Sequence, residues 1–281
     1  CIMVCSGAKV LVTGSRGMLG QDICPVLEDA GFEVIETSRQ NLDITDENQT
    51  MQFICDSKPD VVIHCAGYTN VDGAEEDFES AELINAAGTA NVAKACEAVN
   101  AIMVYVSTDY VFDGTKNTPY LPDDSTNPQT KYGLTKLHGE ENVKKYCSKY
   151  YIARTSWLYG KHGKNFVETM ISLADRPEIK VVDDQIGCPT WTVDLSMAII
   201  KLLEQDSEFG IYHLCGSGYT SWYGFAKEIF AMSGLKVNLL PCTTEEFPRP
   251  AKRPAYSVMD NSGMLRDRKK ALKEYIELRV D

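Results

Sequence analysis

The sequence lacks a long apolar run, a paired-cysteine motif and a basic cluster. No apolar stretch approaches the roughly 18 residues of a membrane span, so we expect no membrane partner. The formal net charge of −12 disfavours a nucleic-acid partner, because it repels polyphosphates. The ten cysteines include no C-x-x-C pair, and the opening "CIMVCSG" lacks the basic flank of a secretory signal. A cytoplasmic location without a disulfide framework is therefore expected.

The chain does contain a regular alternation of β-branched apolar runs and amphipathic stretches. The apolar runs are "KVLVTG", "FEVIET", "DVVIHCAG", "AIMVYVS" and "YYIARTS". Strands that are apolar throughout and separated by helices are typical of a parallel sheet covered on both faces. We therefore predict an α/β fold with a doubly wound, Rossmann-like parallel sheet, in which residues 8–160 form a dinucleotide-binding domain. Residues 161–281 are expected to form a smaller, mainly substrate-binding lobe, with room for some elements to return to the core sheet.

Helical patterns are expected to begin at Met18, to cover 47–57 and 78–98, and to begin again at Val193 and Trp222. One local conflict concerns Pro25, which lies inside the first of these helices. Proline removes a backbone hydrogen bond from a helix, so Pro25 is expected to kink or shorten it.

The first apolar run leads directly into "TGSRGMLGQ". Between a strand and a helix, glycines at this spacing let the backbone turn tightly and approach a pyrophosphate, which then lies at the helix N-terminus. The pattern is G-x-x-G-x-x-G instead of the standard G-x-G-x-x-G, and a tight turn that binds nothing could use the same glycines. Its place at the first strand-to-helix junction favours a dinucleotide site made by Gly14, Gly17, Met18, Leu19 and Gly20.

The segment after the second apolar run indicates which dinucleotide is used. It carries no acid at positions 37–40 to bind the adenosine ribose. Arg39 is instead placed to pair with a 2′-phosphate, so NADPH should serve at least as well as NADH, unless Arg39 is only a solvated surface charge. Asp43, with Ile44 beside it, is expected to contact the adenine, or alternatively to start a turn or cap the next helix.

Two later strands end in residues suited to a ligand site. Ala66 and Gly67 give a side-chain-poor path for the nicotinamide ribose, although small residues also permit ordinary close packing. Ser107 and Thr108 come at the carboxyl end of their strand, where open α/β folds bind ligands. A hydroxyl there can donate to a substrate carbonyl, or can merely satisfy loop backbone.

The stretch "KYGLTKLHGE" places a tyrosine and a lysine four residues apart. At helical spacing Tyr132 and Lys136 share one face, so the ammonium is expected to lie beneath the phenol and lower its pKa. Alone, the pair could be two polar residues on a solvated helix. After a phosphate-binding turn and a strand-end hydroxyl, it predicts an acid that protonates a ketone oxygen while hydride arrives from a nicotinamide.

With the blocks "VSTDYVFDG", "RTSWLYG", "DQIGCPT" and "RPAYSVMDNS", the chain resembles the extended short-chain dehydrogenases/reductases and, within them, the dTDP-4-dehydrorhamnose reductase family. The resemblance implies NAD(P)H-dependent reduction of the 4-keto group of dTDP-6-deoxy-L-lyxo-4-hexulose to dTDP-L-rhamnose. It implies three catalytic residues, Thr108, Tyr132 and Lys136. It also implies a dTDP-sugar bound by Thr108, Asp109, Trp157, Asn165, Thr190 and Arg253. A homodimer fits the resemblance, and no metal is predicted because the sequence shows no strong ligand cluster.

Two alternatives stay open. A related nucleotide-sugar epimerase or 4,6-dehydratase would share the fold, but dehydratases typically add an Asp-Glu pair beside the threonine, where this chain has only Asp109. A non-catalytic regulatory subunit resembling the beta subunit of methionine adenosyltransferase would share the fold and many of the motifs. An intact Thr108, Tyr132 and Lys136 favours an enzyme.

Overall fold

The computed structural model describes residues 4–205 and 207–279. The strands are β1 (Lys9–Thr13), β2 (Glu33–Glu36), β3 (Val61–His64), β4 (Ile102–Thr108), β5 (Tyr150–Thr155), β6 (Leu158–Tyr159), β7 (Ile179–Val182), β8 (Ile186–Gly187), β9 (Thr190–Trp191), β10 (Gly210–His213), β11 (Thr220–Ser221) and β12 (Leu239–Cys242). The helices are α1 (Met18–Asp29), α2 (Glu47–Ser57), α3 (Val71–Glu76), α4 (Phe78–Glu82), α5 (Thr89–Ala98), α6 (Lys131–Tyr146), α7 (Phe166–Ser172), α8 (Thr192–Glu204), α9 (Trp222–Met232) and α10 (Arg268–Arg279).

Six strands form one parallel sheet in the order β10-β5-β4-β3-β1-β2. β1 pairs with β2 on one side and with β3 on the other, so the strand order reverses direction between β1 and β3. Loops that leave the carboxyl ends of strands at such a switch point diverge and open a crevice for ligands. The apolar residues of β1 and β3 are fully buried under helices, and the predicted doubly wound α/β sheet is confirmed.

Elements from the C-terminal half complete this sheet. β10 pairs in parallel with β5, and α8 packs on the core through Leu195 and Ile199, which share a buried cluster with Val10 and Val12 of β1. A second apolar core forms around Val167, Phe225 and Leu272, on α7, α9 and α10. The C-terminal segment therefore contributes both to the main sheet and to a separate core beside it.

Several local expectations can be compared with the structure. The expected helix over 78–98 is present as three consecutive segments, namely α4, a π-helical segment at Leu83–Gly88, and α5. The short helix α3 was not expected. The expectation that Pro25 shortens the first helix is wrong, because α1 continues to Asp29. Because proline has no N–H, the carbonyl of Gln21 lacks its helical hydrogen bond to residue 25. Both residues are exposed, so water can bond to that carbonyl instead. Among the described residues, no helix is both long and apolar enough to cross a membrane.

Candidate active site

The carboxyl ends of the strands open into a cleft of about 1190 Å³. Loops that follow β1 to β5 line it together with the first turns of α1 and α6. It brings together fifteen of the residues expected from the sequence, namely Gly14, Gly17, Met18, Leu19, Gly20, Arg39, Asp43, Ile44, Ala66, Gly67, Thr108, Asp109, Tyr132, Lys136 and Trp157. Asn165, Thr190 and Arg253 are not among the described residues that line it.

The glycine turn has the shape that a pyrophosphate needs. Gly14 has a φ of +63°, and a Cβ at this position would lie 2.7 Å from the backbone nitrogen of Ala66. A Cβ on Gly20 would collide with the carbonyl oxygen of Gly14. α1 begins after Gly17 without a side-chain cap and has no acidic residue in its first turn. The N-terminal N–H groups of α1 are therefore free of side-chain competition for an anion, and the turn fits the pyrophosphate of a dinucleotide.

Two exposed arginines stand at the end of the cleft nearest β2. Arg39 lines the cleft, and so does Arg16, which sequence reasoning missed although it stands inside the glycine motif. Arg16 and Ser38 also line a neighbouring pocket of about 620 Å³. Guanidinium groups bind phosphate oxygens in bidentate fashion, so this end of the cleft suits a 2′-phosphate.

Two acidic residues lie near the carboxyl end of β2. Glu36 is the last residue of β2, one position before the segment inspected for an acid, and it lines the smaller pocket beside Arg16. Asp43 lines the cleft, but its Oδ1 accepts bonds from the backbone nitrogen (3.0 Å) and hydroxyl (2.7 Å) of Thr45. Asp43 therefore starts a turn, and Asp46 is the residue that caps α2.

Thr108 and Tyr132 approach each other from β4 and α6. Thr108 ends β4, donates from Oγ1 to Asp109 Oδ1 at 3.1 Å, and accepts from the backbone nitrogen of Tyr110 at 3.2 Å. Tyr132 lies in the first turn of α6, and its ring meets that of Tyr110 edge-on at 5.5 Å. Burial, reinforced by the charge of Asp109, raises the pKa of Tyr132 above its usual range, and a hydrogen bond with Thr108 opposes this only in part.

Lys136 is turned toward the sheet. Its Nζ donates to the carbonyl oxygen of Val106 at 2.8 Å and lies 4.5 Å from the ring centroid of Tyr105. The net pKa of Tyr132 is raised and not lowered, as the spacing had suggested, because burial of the phenol dominates. Burial also lowers the pKa of Lys136 to about 8, and the carboxylate of Glu140 opposes that shift. A phenol with a raised pKa keeps its proton at neutral pH, which suits a proton donor.

A buried ion pair supports α6 one turn beyond Lys136. Glu140 accepts from Arg154 Nη2 at 2.7 Å and Nε at 3.0 Å, and from Ser107 Oγ at 2.6 Å. The side chains of Glu140 and Arg154 are 0% and 2% exposed. The pair ties α6 to β4 and β5 directly behind the cleft. Sequence reasoning missed it, although an arginine inside the apolar run "YYIARTS" was a signal for a buried partner.

Asn85 holds the loop after β3 in place by hydrogen bonds. Its Oδ1 accepts from the backbone nitrogen of Tyr68 at 2.8 Å, and its Nδ2 donates to the carbonyl of Tyr68 and to Thr135 Oγ1, each at 3.0 Å. A Cβ at Gly67 would lie 3.2 Å from Asn85 Oδ1 and 3.9 Å from Lys136 Nζ. Gly67 therefore leaves the cleft floor open in front of Lys136.

The three expected substrate residues outside the cleft use their polar groups within the chain. Asn165 caps α7 and donates to the carbonyls of Gly160 (2.7 Å) and Gly163 (3.1 Å). Buried Thr190 accepts from the backbone nitrogen of Gly216 at 3.0 Å.

The third of these residues, Arg253, forms a two-point ion pair with Asp72. Asp72 is also bound by Arg249, and these hydrogen bonds hold the pKa of the Asp72 carboxyl well below its usual range. In this conformation, then, Arg253 is a partner of α3. Asn165 and Thr190 likewise bond to neighbouring residues of the chain.

A glycine turn that fits a dinucleotide and a protonated phenol face the same cleft of a doubly wound sheet. This combination places the chain in the extended short-chain dehydrogenase/reductase class. Within that class, residues 8–278 match the family described as the RmlD substrate binding domain, and the chain belongs to this family. The family expected from the sequence motifs is thereby confirmed.

Similar proteins cover nearly the full chain. The spore coat polysaccharide biosynthesis protein SpsK of Bacillus subtilis (strain 168) is 42% identical, over 96% of this chain and 98% of its own. The crystal structure of a dTDP-4-dehydrorhamnose reductase from Clostridium acetobutylicum ATCC 824 is 48% identical, with a TM-score of 0.94 over 97% of this chain and 100% of that one. The enzyme of the same name from Bacillus anthracis str. Ames, in complex with NADP, is 41% identical, with a TM-score of 0.94 over 97% and 99%.

Proposed function

We propose that this protein is an NADPH-dependent oxidoreductase that reduces the 4-keto group of dTDP-6-deoxy-L-lyxo-4-hexulose to give dTDP-L-rhamnose. The observation that carries the proposal is the position of Thr108, Tyr132 and Lys136, which line the same cleft as the glycine turn. The similarity to dTDP-4-dehydrorhamnose reductases, one of them in complex with NADP, supports both the substrate and the cofactor.

The cofactor is assigned to residues along the floor of the cleft. The glycine turn and the N-terminus of α1 would hold the pyrophosphate, Arg16 and Arg39 the 2′-phosphate, and Lys136 the nicotinamide ribose. When bound, the reduced nicotinamide supplies the hydride that the ketone carbon accepts. The tight packing of Gly14 on Ala66 supports this assignment, because a side chain at position 14 would collide with that backbone and displace the turn.

The proton comes from the protein. Tyr132 donates its phenolic proton to the ketone oxygen as that oxygen gains negative charge. The Thr108 hydroxyl, once it turns from Asp109, holds the same oxygen by a hydrogen bond. Burial keeps Tyr132 protonated before the reaction. The phenolate that forms in the reaction is stabilised by the ammonium of Lys136, which lies one helical turn away on α6.

Turnover tests the proposal directly. We expect the purified protein to oxidise NADPH when dTDP-6-deoxy-L-lyxo-4-hexulose is present, and to release dTDP-L-rhamnose. Absorbance of the reduced cofactor and chromatography of the sugar nucleotide measure the two products. Binding of the sugar nucleotide without any oxidation of NADPH would contradict the proposal and favour a regulatory subunit.

A second prediction concerns cofactor choice. Arg39→Ala should raise the KM for NADPH more than the KM for NADH, by up to about tenfold, because NADH lacks the 2′-phosphate that the guanidinium would bind. Arg16→Ala should show the same selectivity. Steady-state kinetics with each cofactor measure the effect, and Arg176→Ala, another exposed arginine, is the control. Equal changes for both cofactors would exclude contact with the 2′-phosphate.

The proposal extends to partners and location. We assign the protein to the cytoplasm as a homodimer without nucleic-acid or membrane partners, in line with its net charge of −12. Light scattering after gel filtration measures the oligomeric state, and a monomer at micromolar concentration would contradict the homodimer.

A further inference from the structure

Three consecutive residues of β4 form hydrogen bonds with α6 just before the strand reaches the cleft. The Tyr105 hydroxyl donates to the carbonyl oxygen of Lys136 at 3.4 Å, and Lys136 Nζ donates to the carbonyl oxygen of Val106 at 2.8 Å. Ser107 Oγ then donates to Glu140 Oε2 at 2.6 Å. The strand ends one residue later, at the cleft. These bonds therefore hold β4 and α6 together directly behind the cleft.

Ser107 and Arg154 hold the same carboxylate from neighbouring strands. The two residues pair in register between β4 and β5, so their side chains point to the same face of the sheet. Arg154 donates to both oxygens of Glu140, at 2.7 Å and 3.0 Å, and Ser107 donates to one of them. All three side chains are buried. Helix α6 is therefore attached to two strands through one glutamate.

The proposed reaction depends on how β4 and α6 are placed, because its two hydroxyl groups come from different elements. Thr108 ends β4, whereas Tyr132 lies in the first turn of α6, about two turns before Glu140. Both hydroxyls must reach one ketone oxygen, and donors to a developing oxyanion work at distances of about 2.7–3.1 Å. A misplacement of about 1 Å can lower a rate by about 100-fold. A small shift between β4 and α6 would therefore slow the chemical step.

The bond from Ser107 to Glu140 joins two groups that have no part in the reaction. Lys136, by contrast, is assigned to the nicotinamide ribose as well as to its bond with Val106. The length of 2.6 Å is that of a charge-assisted bond from a hydroxyl to a carboxylate. Ser107 also lines the cleft, but its hydroxyl proton is directed to Glu140 and not to a substrate carbonyl. Its contribution is therefore to the position of its neighbours.

We propose that Ser107 is a positioning residue for the proton transfer, because its bond to Glu140 fixes β4 and α6 at the separation that lets Thr108 and Tyr132 meet one ketone oxygen. This inference rests on the proposed function, which supplies the ketone. A role in stability alone would leave the rate of the folded enzyme unchanged. A positioning role acts on the chemical step even when both ligands are saturating.

Ser107→Ala tests the proposal, since it removes the donor and leaves both bonds from Arg154 to Glu140 in place. We expect kcat to fall by about three- to thirtyfold, while the KM for the keto sugar and the Kd of NADPH change by less than about twofold. Single-turnover oxidation of NADPH in light and heavy water isolates the chemical step. The solvent isotope effect should rise, because proton transfer from Tyr132 becomes slower.

Two conservative variants grade the effect. Ser107→Thr keeps the hydroxyl and should recover most of the rate. Ser107→Cys has a thiol, which is a weaker donor, and should give a rate between those of the wild-type protein and Ser107→Ala.

The matched control is Ser196→Ala. Ser196 is also fully buried and donates one bond, to the carbonyl oxygen of Thr192 at 2.7 Å. It lies on α8 and is not among the described residues that line the cleft. Both alanine variants should lower the melting temperature by similar small amounts, but Ser196→Ala should keep the wild-type kcat.

Three outcomes would overturn the positioning role. They are an unchanged kcat in Ser107→Ala, an equal loss of kcat in Ser196→Ala, and a raised KM for the keto sugar with kcat unchanged. The last result would mean that Ser107 contacts the substrate directly. Failure of the wild-type protein to oxidise NADPH with the keto sugar would instead overturn the proposed function, and this inference with it.

Discussion

Replacing Tyr132 with phenylalanine should lower turnover by roughly 100-fold to 10,000-fold, because the variant keeps the ring but loses the proton that the ketone oxygen takes up. The ring of Tyr132 packs on Tyr110, so Tyr132→Phe preserves this contact and the fold. The Kd of NADPH should stay close to its wild-type value, since the lost interaction forms mainly in the transition state. Stopped-flow measurement of NADPH oxidation at saturating substrate checks the result.

Lys136→Met provides the contrast for that experiment. It removes an ammonium that lies on the cleft floor near Gly67 and donates to Val106, so both turnover and NADPH affinity should fall. Fluorescence titration of NADPH separates the two variants. Wild-type turnover in Tyr132→Phe would remove the phenol from the mechanism and return Tyr132 and Lys136 to a purely structural role.

Removal of Arg154 should cause the largest loss of stability. Arg154→Met leaves the carboxylate of Glu140 buried without its partner, and we expect the free energy of unfolding to fall by about 3–5 kcal/mol. Within residues 4–205 and 207–279, Ser107 alone would still donate to that carboxylate. Equilibrium unfolding in urea, followed by circular dichroism, measures the change.

Two further variants make this test specific. Lys94→Met breaks an exposed pair with Glu47, whose side chains are 33% and 59% exposed, and should cost no more than about 1 kcal/mol. The double variant Glu140→Leu with Arg154→Met removes both buried charges and should recover much of the loss. If Arg154→Met were as mild as Lys94→Met, Glu140 and Arg154 would not be what anchors α6.

Motifs carried by consecutive residues could be located from the sequence. The apolar runs that became β1, β3 and β4 have no polar face, so they had to be buried on both sides in a parallel sheet. The glycine turn could be located because only glycine fits where Gly14 meets Ala66. Tyr132 and Lys136 could be paired because helical spacing alone puts them on one face.

Features that depend on residues far apart in the chain could not be located in this way. Arg253 pairs with Asp72 across 181 positions, and no local pattern announces that its guanidinium is engaged there. Sequence alone likewise could not show that Trp222 stacks on Trp157, since the two meet only after α9 packs beside α7 and β7. Partners of this kind are chosen by the fold as a whole.

The sequence by itself determined the fold class, the dinucleotide turn, and the set of side chains around the strand ends, because each follows from local spacing or from apolar burial. Only the tertiary structure decided how those groups behave. Spacing suggested that Lys136 would lower the pKa of Tyr132, but burial of the phenol and the charge of Asp109 raise it. Electrostatic shifts depend on the depth of burial and on every charge nearby, and both are properties of the folded chain, which no segment carries alone.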